Sequence, residues 1–323
     1  MFERVGRAIR QVWRAILWIW NTAISLVDDI LGLLPRWVGG VLLVLPSLLL
    51  IGIFVYGFIG WNAKVSLTES RRGVITDEII GLQQYTDLFK DETFLNDIRN
   101  LVVFTVVFIL GTLLFGVLLA LLMDKGVRWE NTLRAIYLFP MAISFIATGI
   151  VWRWLLNSDT GAGTTGINDV LGIIGVHSDW HKSASTWAIA AIALPAGWAL
   201  SGYVMALFLA GLRGIPEELR EAARMDGASE FRIYWHVVRP LMLPVFMSAL
   251  VILAHISLKT FDLIYAIAPL DPRTETPAIY MWLTSFRGGF FGRGAAIATM
   301  LFFAIAIVVV PYIWYTMRKE RQR

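Results

Sequence analysis

Six stretches of roughly twenty mostly apolar residues constrain this chain more than anything else in it. They cover approximately 38–61, 98–123, 135–156, 185–212, 241–266 and 295–317. At 1.5 Å per residue, each helix would cross a hydrocarbon layer of about 30 Å. Inside such a layer the backbone has no water to bond, so a run of this length must satisfy its own N–H and C=O groups as a helix. Composition agrees: 57% of the 323 residues are hydrophobic, 16% are charged, and mean hydropathy is +0.66. A soluble domain carries about 25% charged residues. The expected fold is therefore an all-α integral membrane bundle of six transmembrane helices. Cysteine is absent, which excludes disulfides, thiolate metal sites and thiol nucleophiles.

An earlier apolar run, 13–34, contains Asp28 and Asp29. Charge at mid-membrane is costly, so this run is assigned to the interface. Arg4, Arg7, Arg10 and Arg14 lead into Trp13, Ile16, Leu17 and Trp20 at helical spacing, the pattern of an amphipathic helix lying on an anionic surface. Residues 1–36 are thus expected as an N-terminal interfacial helix, and 37–323 as the six-span domain. No small-residue cleavage site follows the run, which argues against a signal peptide.

Lys and Arg set the orientation. Seventeen of the 28 fall at the N-terminus, around 125–134, in 213–239 and at the C-terminus, which all lie on one side of a six-span chain. The positive-inside rule then puts both termini and the 212–240 loop in the cytoplasm. The basic residues serve topology, and no nucleic-acid partner is implied. On the other side, Leu82, Tyr85, Leu88 and Phe89 suit a short amphipathic helix within 62–97. The 157–182 loop is rich in Gly and Thr near its start. No G-x-x-x-x-G-K-[ST] run occurs, and no G-x-G-x-x-G lies between a strand and a helix, so any ATP involved is bound by another chain.

The stretch 212–244 is the one loop with soluble character. Pro216, Glu217 and Glu218 form a helix start, with proline in the first turn and two carboxylates at the positive end of the dipole. The helix is expected to stop at Gly227, which can take a left-handed conformation. Ser229 offers a second N-cap, and Phe231, Tyr234, Trp235 and Val238 continue at helical spacing until Pro240, where the second helix is expected to end. Ala222, Ala223, Met225 and Ala228 place small side chains beside the bend. A solvated connector and a partner-docking elbow both fit these residues.

The run Glu221-Ala222-Ala223-x-x-x-Gly227-x9-Val237-x-x-Pro240 resembles the EAA motif of importer-type ABC transporter permeases. Val237 replaces isoleucine, and Arg239 stands where the pattern has leucine. Gly81-Leu82-x-x-Tyr85, Leu138-Phe139-Pro140, Val151-Trp152-Arg153-Trp154 and Phe286-x4-Phe291-Gly292-x-Gly294-Ala295-Ala296 are similar to the carbohydrate subfamily, which includes maltose, trehalose, α-glucoside and glucose permeases. The resemblance implies a type I, maltose-permease-like bundle whose elbow couples to a cytoplasmic ATPase. Glu221, Ala222, Ala223, Asp226, Gly227 and Pro240 would form that coupling segment. It further implies a second permease, two nucleotide-binding subunits that hold ATP and Mg, an extracytoplasmic solute-binding protein and a sugar substrate. This chain would carry no cofactor and catalyse no reaction, in a bacterial or archaeal cell membrane.

Ser248, His255, Lys259 and Asp262 lie within about 60° of one another on a continuous helix, at 100° per residue. Ionisable residues within a bundle mark a substrate route, although Lys259 and Asp262 would equally anchor a helix at the interface. Lys259-Thr260-Phe261-Asp262 resembles the sugar permeases where their substrate path runs. Tyr265, Trp198, Ser201 and Tyr203 would add hydroxyls and aromatic faces for a sugar, although Trp and Tyr are also ordinary interface residues. Two other classes fit the same features: a proton- or ion-coupled carrier using the stripe, and a membrane scaffold using only the loop. No second copy of the stripe occurs in the first three segments.

Overall fold

The computed structural model describes residues 13, 18, 21, 22, 36–71, 74, 76, 78–157, 166–183, 185 and 187–320. The interfacial helix expected over 1–36 lies almost entirely outside them. The chain forms two units, 1–61 and 62–323. In the first, α1 (Arg36–Ile51) runs through a π-helical stretch, Gly52–Gly57, into α2 (Phe58–Ser66), whose last five residues belong to the second. The portion Val44–Ser66 is long and apolar enough to span a membrane. Leu48, Phe54 and Tyr56 on it are exposed, as lipid-facing residues would be.

The second unit is helical throughout its described residues, apart from loops and two isolated β-bridges. In order it contains α3 (Gln83–Leu88), α4 (Glu92–Asp124), α5 (Glu130–Leu138), α6 (Phe145–Leu155), α7 (Ile167–Gly172), α8 (Ala188–Arg213), α9 (Glu217–Met225), α10 (Glu230–Ile233), α11 (Arg239–Leu258), α12 (Asp262–Ile267), α13 (Pro277–Trp282) and α14 (Phe291–Glu320). Five described helices are long and apolar enough to cross a membrane, and six when a bent pair is taken as one span.

That bent pair corrects the third expected segment. Instead of one helix over 135–156, α5 ends in a 3-10 turn, Phe139–Ala142, and α6 leaves at 98° to it. Pro140 has no N–H to donate and blocks the preceding turn. Ser144 then caps α6 by accepting from the Ala147 N–H at 3.2 Å. The fifth segment is also broken. α11 stops at Leu258, Lys259 takes a non-helical conformation, and α12 starts afresh at Asp262. Unsatisfied backbone groups at these breaks are tolerable only inside protein or along a water-lined path.

At the centre, α4 packs along α8. One face of α4 carries Leu110, Leu114, Leu118 and Leu122, all exposed and four residues apart, a stripe for lipid. The opposite face buries Phe104, Phe108, Thr112, Gly116 and Ala120 against Ile192, Ala196, Leu200 and Val204 of α8. Gly116 makes the contact close: a Cβ there would sit 2.6 Å from two Val204 side-chain carbons and 2.9 Å from the Ser201 carbonyl oxygen. Small residues permit this approach, and dispersion then replaces the absent hydrophobic force between membrane helices.

The α3 helix appears where expected, but only part of its proposed face is used. Leu88 is fully buried against Phe94, Ala296 and Ile297, and Tyr85 packs beside it, whereas Leu82 and Phe89 are exposed. Tyr85 also hydrogen-bonds the Ser66 hydroxyl at 2.7 Å.

Gly116→Ala should destabilise the detergent-solubilised protein by about 1–3 kcal/mol through overpacking. Gly111→Ala on the same helix, where a Cβ meets nothing within 4 Å, should be neutral or slightly stabilising. Thermal unfolding of the two variants side by side checks the difference.

Candidate functional site

The loop over 212–240 folds as the expected elbow. α8 ends at Arg213, and α9 begins after Pro216 with Glu217 and Glu218 in its first turn. At its end Gly227 has φ +76°, the Gly227 N–H donates to the Arg224 carbonyl at 3.0 Å, and the Ala228 N–H donates to the Ala223 carbonyl at 3.0 Å. This pair of bonds is a complete Schellman stop, and it fixes the turn angle. Ser229 occupies the next N-cap position without a side-chain capping bond.

The second arm differs from the sequence expectation. Pro240 does not end it. α10 widens into a π-helical stretch, Tyr234–Val238, and continues as α11 into the bundle, giving one apolar helix over Glu230–Leu258. Pro240 falls in the first turn after the widening, where a missing N–H costs least. The Arg239 departure also has a structural reason. Its guanidinium lies 4.2 Å from the Trp235 ring centroid, and Trp235 stacks on Phe231 at 6.1 Å. Phe231, Trp235 and Arg239 form a column on one side of the arm.

Charges lock the elbow to the ends of the central pair. Arg220, mostly buried, donates to the Leu212 carbonyl at 3.1 Å and pairs with Asp124 at 3.6 Å, tying α9 to the ends of both α8 and α4. Arg224 bridges Glu217 at 3.0 Å and Glu230 at 2.9 Å, one partner on each arm, and those bonds raise its pKa further. Arg213 pairs with Glu130 at 2.8 Å. Of the expected small-residue surface, Ala223 and Ala228 face inward and pack against the core. Glu221, Ala222, Asp226 and Gly227 face outward with Leu219, Met225 and Phe231. Met225 is 88% exposed. Glu221 makes no hydrogen bond or ion pair with a described residue. The outward face is thus an acidic and apolar ridge on a base tied by ion pairs, and no described residue covers it.

The expected polar stripe is divided by the break after Leu258. Ser248 is already satisfied, donating to the Pro244 carbonyl at 2.9 Å and bonding the Tyr312 hydroxyl at 2.7 Å. His255 is half-buried on α11, while Lys259 and Asp262 are exposed on either side of the break and form no ion pair with each other. Thr260 is buried and donates to the Ile256 carbonyl at 2.7 Å. Tyr265 belongs to an aromatic group, stacking on Phe261 at 5.4 Å and meeting Trp282 edge-on at 5.5 Å. Trp282 was not among the sequence candidates; its signal was only that of one more interface tryptophan. Trp198 stands elsewhere, with Trp152 in an apolar cavity of about 480 Å³ that none of the stripe residues lines. Ser201 donates back to the Trp198 carbonyl, and Tyr203 packs into the core. The structure therefore does not bring Trp198, Tyr203 and the stripe into one site.

A separate hollow of about 500 Å³, away from the elbow, is lined by Arg153, Trp154, Asn157, His181, Asp271 and Arg273 among others. Burial pulls the His181 imidazole pKa down. Burial works to raise the Asp271 carboxyl, but hydrogen bonds and charge from Arg273 hold it below the usual carboxylate range. The residues lining this hollow mix donors with an indole face.

A Cβ at Gly227 meets nothing within 4 Å, so substitution there is opposed by backbone conformation alone. Gly227→Ala should cost about 1–2 kcal/mol, and Gly227→Asn less. Hydrogen exchange at the Ala228 amide should accelerate about 5- to 30-fold in the alanine variant.

Comparison with known proteins matches residues 112–323 to the family described as binding-protein-dependent transport system inner membrane component. A probable ABC transporter permease of Pyrococcus horikoshii is 37% identical over 284 residues, covering 87% of this chain and 97% of the relative. The xylose/arabinose import permease XacH of Haloferax volcanii is 33% identical over 306 residues, covering 93% of each. The fold also matches a chain in the crystal structure of a bacterial alginate ABC transporter in complex with alginate pentasaccharide-bound periplasmic protein. The TM-score is 0.70 at 21% identity, with 85% of this chain and 92% of that one covered. The family places the chain among multi-pass transport subunits and does not favour the scaffold or ion-coupled carrier readings. With its bent third span and its Schellman-stopped elbow, this chain belongs to the inner-membrane permease components of binding-protein-dependent ABC transport systems.

Proposed function

We propose that this chain forms half of the translocation path of an ATP-driven sugar importer and receives its mechanical input through the 212–240 elbow. The observation that carries the reading is the contrast within the elbow. Its inner side is tied by Arg220 to Asp124 and Leu212, while its outer side presents Glu221, which pairs with no described residue, together with Ala222 and Met225. A ridge so supported suits a cleft on a cytoplasmic ATPase subunit, with Glu221 orienting the joint through charge-assisted hydrogen bonds. Asp226 and Gly227 set its angle, and Pro240 marks where the second arm enters the bundle.

The full assembly in this reading contains a second permease, two ATPase subunits that bind ATP and Mg, and an extracytoplasmic solute-binding protein. Both termini lie in the cytoplasm. ATP binding closes the ATPase pair, the elbows move together, and the bundle opens outward to take sugar from the binding protein. The sugar class is supported by relatives named for xylose/arabinose, glucose and trehalose/maltose import, and by the Phe261–Tyr265–Trp282 group. Its ring faces lie beside the helix break that bears Lys259, Thr260 and Asp262, with His255 one turn deeper. An aromatic face suits the C–H surface of a sugar and the neighbouring polar groups suit its hydroxyls. Ser248, Trp198 and Tyr203 contribute helix packing in this reading.

Reconstitution with the partner subunits tests it. Glu221→Ala should lower both sugar uptake and binding-protein-stimulated ATP hydrolysis by at least about tenfold, the effect of losing one charge-assisted contact at the joint. Assembly of the membrane subunits should persist. Uptake that continues at the normal rate in this variant, or without any ATPase subunit, would contradict the proposal.

A further inference from the structure

The connection between α6 and α8 carries an apolar turn that no described residue covers. α7 runs into a tight stop at Gly175, which has φ +74°. The Gly175 N–H donates to the Gly172 carbonyl at 3.0 Å and the Val176 N–H to the Leu171 carbonyl at 3.1 Å, the same pair of bonds that ends α9 at the elbow. Asn168, 6% exposed, closes the base of the turn. Its amide donates to the Ser178 carbonyl at 2.9 Å, and its side-chain oxygen accepts from the Trp180 indole at 3.0 Å. The Gly166 N–H donates to the Asp169 carboxylate at 3.0 Å. Polar bonds thus set the base of the turn, while its far side is hydrocarbon only. Val170, Ile173 and Ile174, neighbours on one helical face, are 67%, 84% and 72% exposed, and Val176 is exposed after them.

Within 170–176, VLGIIGV, no side chain can donate or accept a hydrogen bond. An aliphatic patch held this open marks a contact with a protein or with a membrane. Residues 158–165, SDTGAGTT, contain no large apolar side chain with which the same loop could cover it. Two observations favour the membrane. First, the turn is attached at headgroup level. Ile146, Ile150 and Trp154 are exposed at four-residue steps, a lipid-facing stripe on α6 that ends in an indole, and Trp187 is exposed where α8 begins. Gly166, just before α7, packs on that last turn of α6. A Cβ there would lie 2.9 Å from the Leu155 carbonyl oxygen and 3.4 Å from that of Trp154, and the Asn168 amide reaches the Asn157 carbonyl at 3.4 Å. Second, a surface on which a soluble partner docks and leaves is about as polar as the rest of a protein, with a hydrogen-bonding rim. A tip without polar side chains gives such a partner nothing to orient on, whereas acyl chains require nothing more.

We propose that the 170–176 turn is a membrane anchor, in which Val170, Ile173 and Ile174 insert among the lipid acyl chains and hold the α6–α8 connection at the membrane surface. Because α8 ends at the elbow, its start and the anchor lie in the opposite leaflet. Asn168 and the Gly175 stop preset the turn, so little conformational freedom is lost on insertion.

The test uses the assembled transporter in lipid nanodiscs, with partner subunits free of cysteine. This chain has none, so an environment-sensitive nitrobenzoxadiazole label can be placed singly at Ile174→Cys. Leu114→Cys, on the exposed stripe of α4, supplies the lipid reference, and the label coupled to free cysteine supplies the water reference. The label at Ile174→Cys should show the blue-shifted emission of the one at Leu114→Cys, lose intensity in brominated lipid and resist iodide. Added solute-binding protein should leave all three readings unchanged. Val170→Cys, one turn earlier on the same face, should repeat the result, so a folding defect in one variant does not decide the outcome. Emission at the water-reference wavelength with quenching by iodide would overturn the proposal. So would protection from iodide without quenching by brominated lipid, which would place protein over the turn, or a blue shift that arises only when solute-binding protein is added.

Discussion

The close packing of α4 on α8 is the contact on which the rest of the second unit depends. Where Gly116 lets Val204 and the Ser201 carbonyl approach, the two longest buried faces interlock without a polar bond between them. Lipid offers no hydrophobic drive for this pairing, so shape does the work. Both helices end beside the elbow, and Arg220 reaches the last turn of each. Under the proposed function, a push on the elbow is delivered to the centre of the bundle. Interlocked cores shift as bodies more readily than they deform.

The two breaks in the bundle complement that rigid centre. Pro140 and Ser144 redirect the third span, and Lys259 to Phe261 interrupt the fifth. Each break interrupts the backbone bonding of a span and sets polar side chains there, Ser144 at the first and Lys259, Thr260 and Asp262 at the second. The second break lies beside the Phe261–Tyr265–Trp282 aromatic group, so the place where the helix is least regular is also the place proposed to meet the sugar. The π-helical widening before α11 serves a different end. It lets a charged, solvent-facing arm with Arg239 over Trp235 run directly into an apolar helix.

Much of this was legible in the sequence because it follows from local rules. Apolar length located the spans, and Pro216, Gly227 and the spacing to Val237 located the elbow and its stop. The Pro140 bend and the end of α11 were less legible. Proline within an apolar run either kinks or ends a helix depending on what packs nearby, and nothing local marks Leu258 as a terminus. Pro240 misled for the same reason, since the π-helical register that accommodates it is set by tertiary packing. The bond from Asn100 to the Glu275 carbonyl joins residues 175 apart, and the division of Trp198 and Tyr203 from the stripe depends on how separate helices pack. Periodicity carries no information on such pairs.

The central claim is that the elbow moves as one piece with the inner ends of α4 and α8 when the ATPase closes. The chain contains no cysteine, so spin labels can be placed singly. Pulsed electron paramagnetic resonance between labels at Leu122→Cys on α4 and Met225→Cys on the elbow, both exposed, measures the lever directly in the assembled transporter. This account predicts one narrow distance that is the same with and without ATP, while the distance between Met225→Cys and the matching elbow of the paired permease shortens on ATP binding. A Leu122–Met225 distance that broadens or changes with ATP, or an inter-elbow distance that does not move, would contradict it.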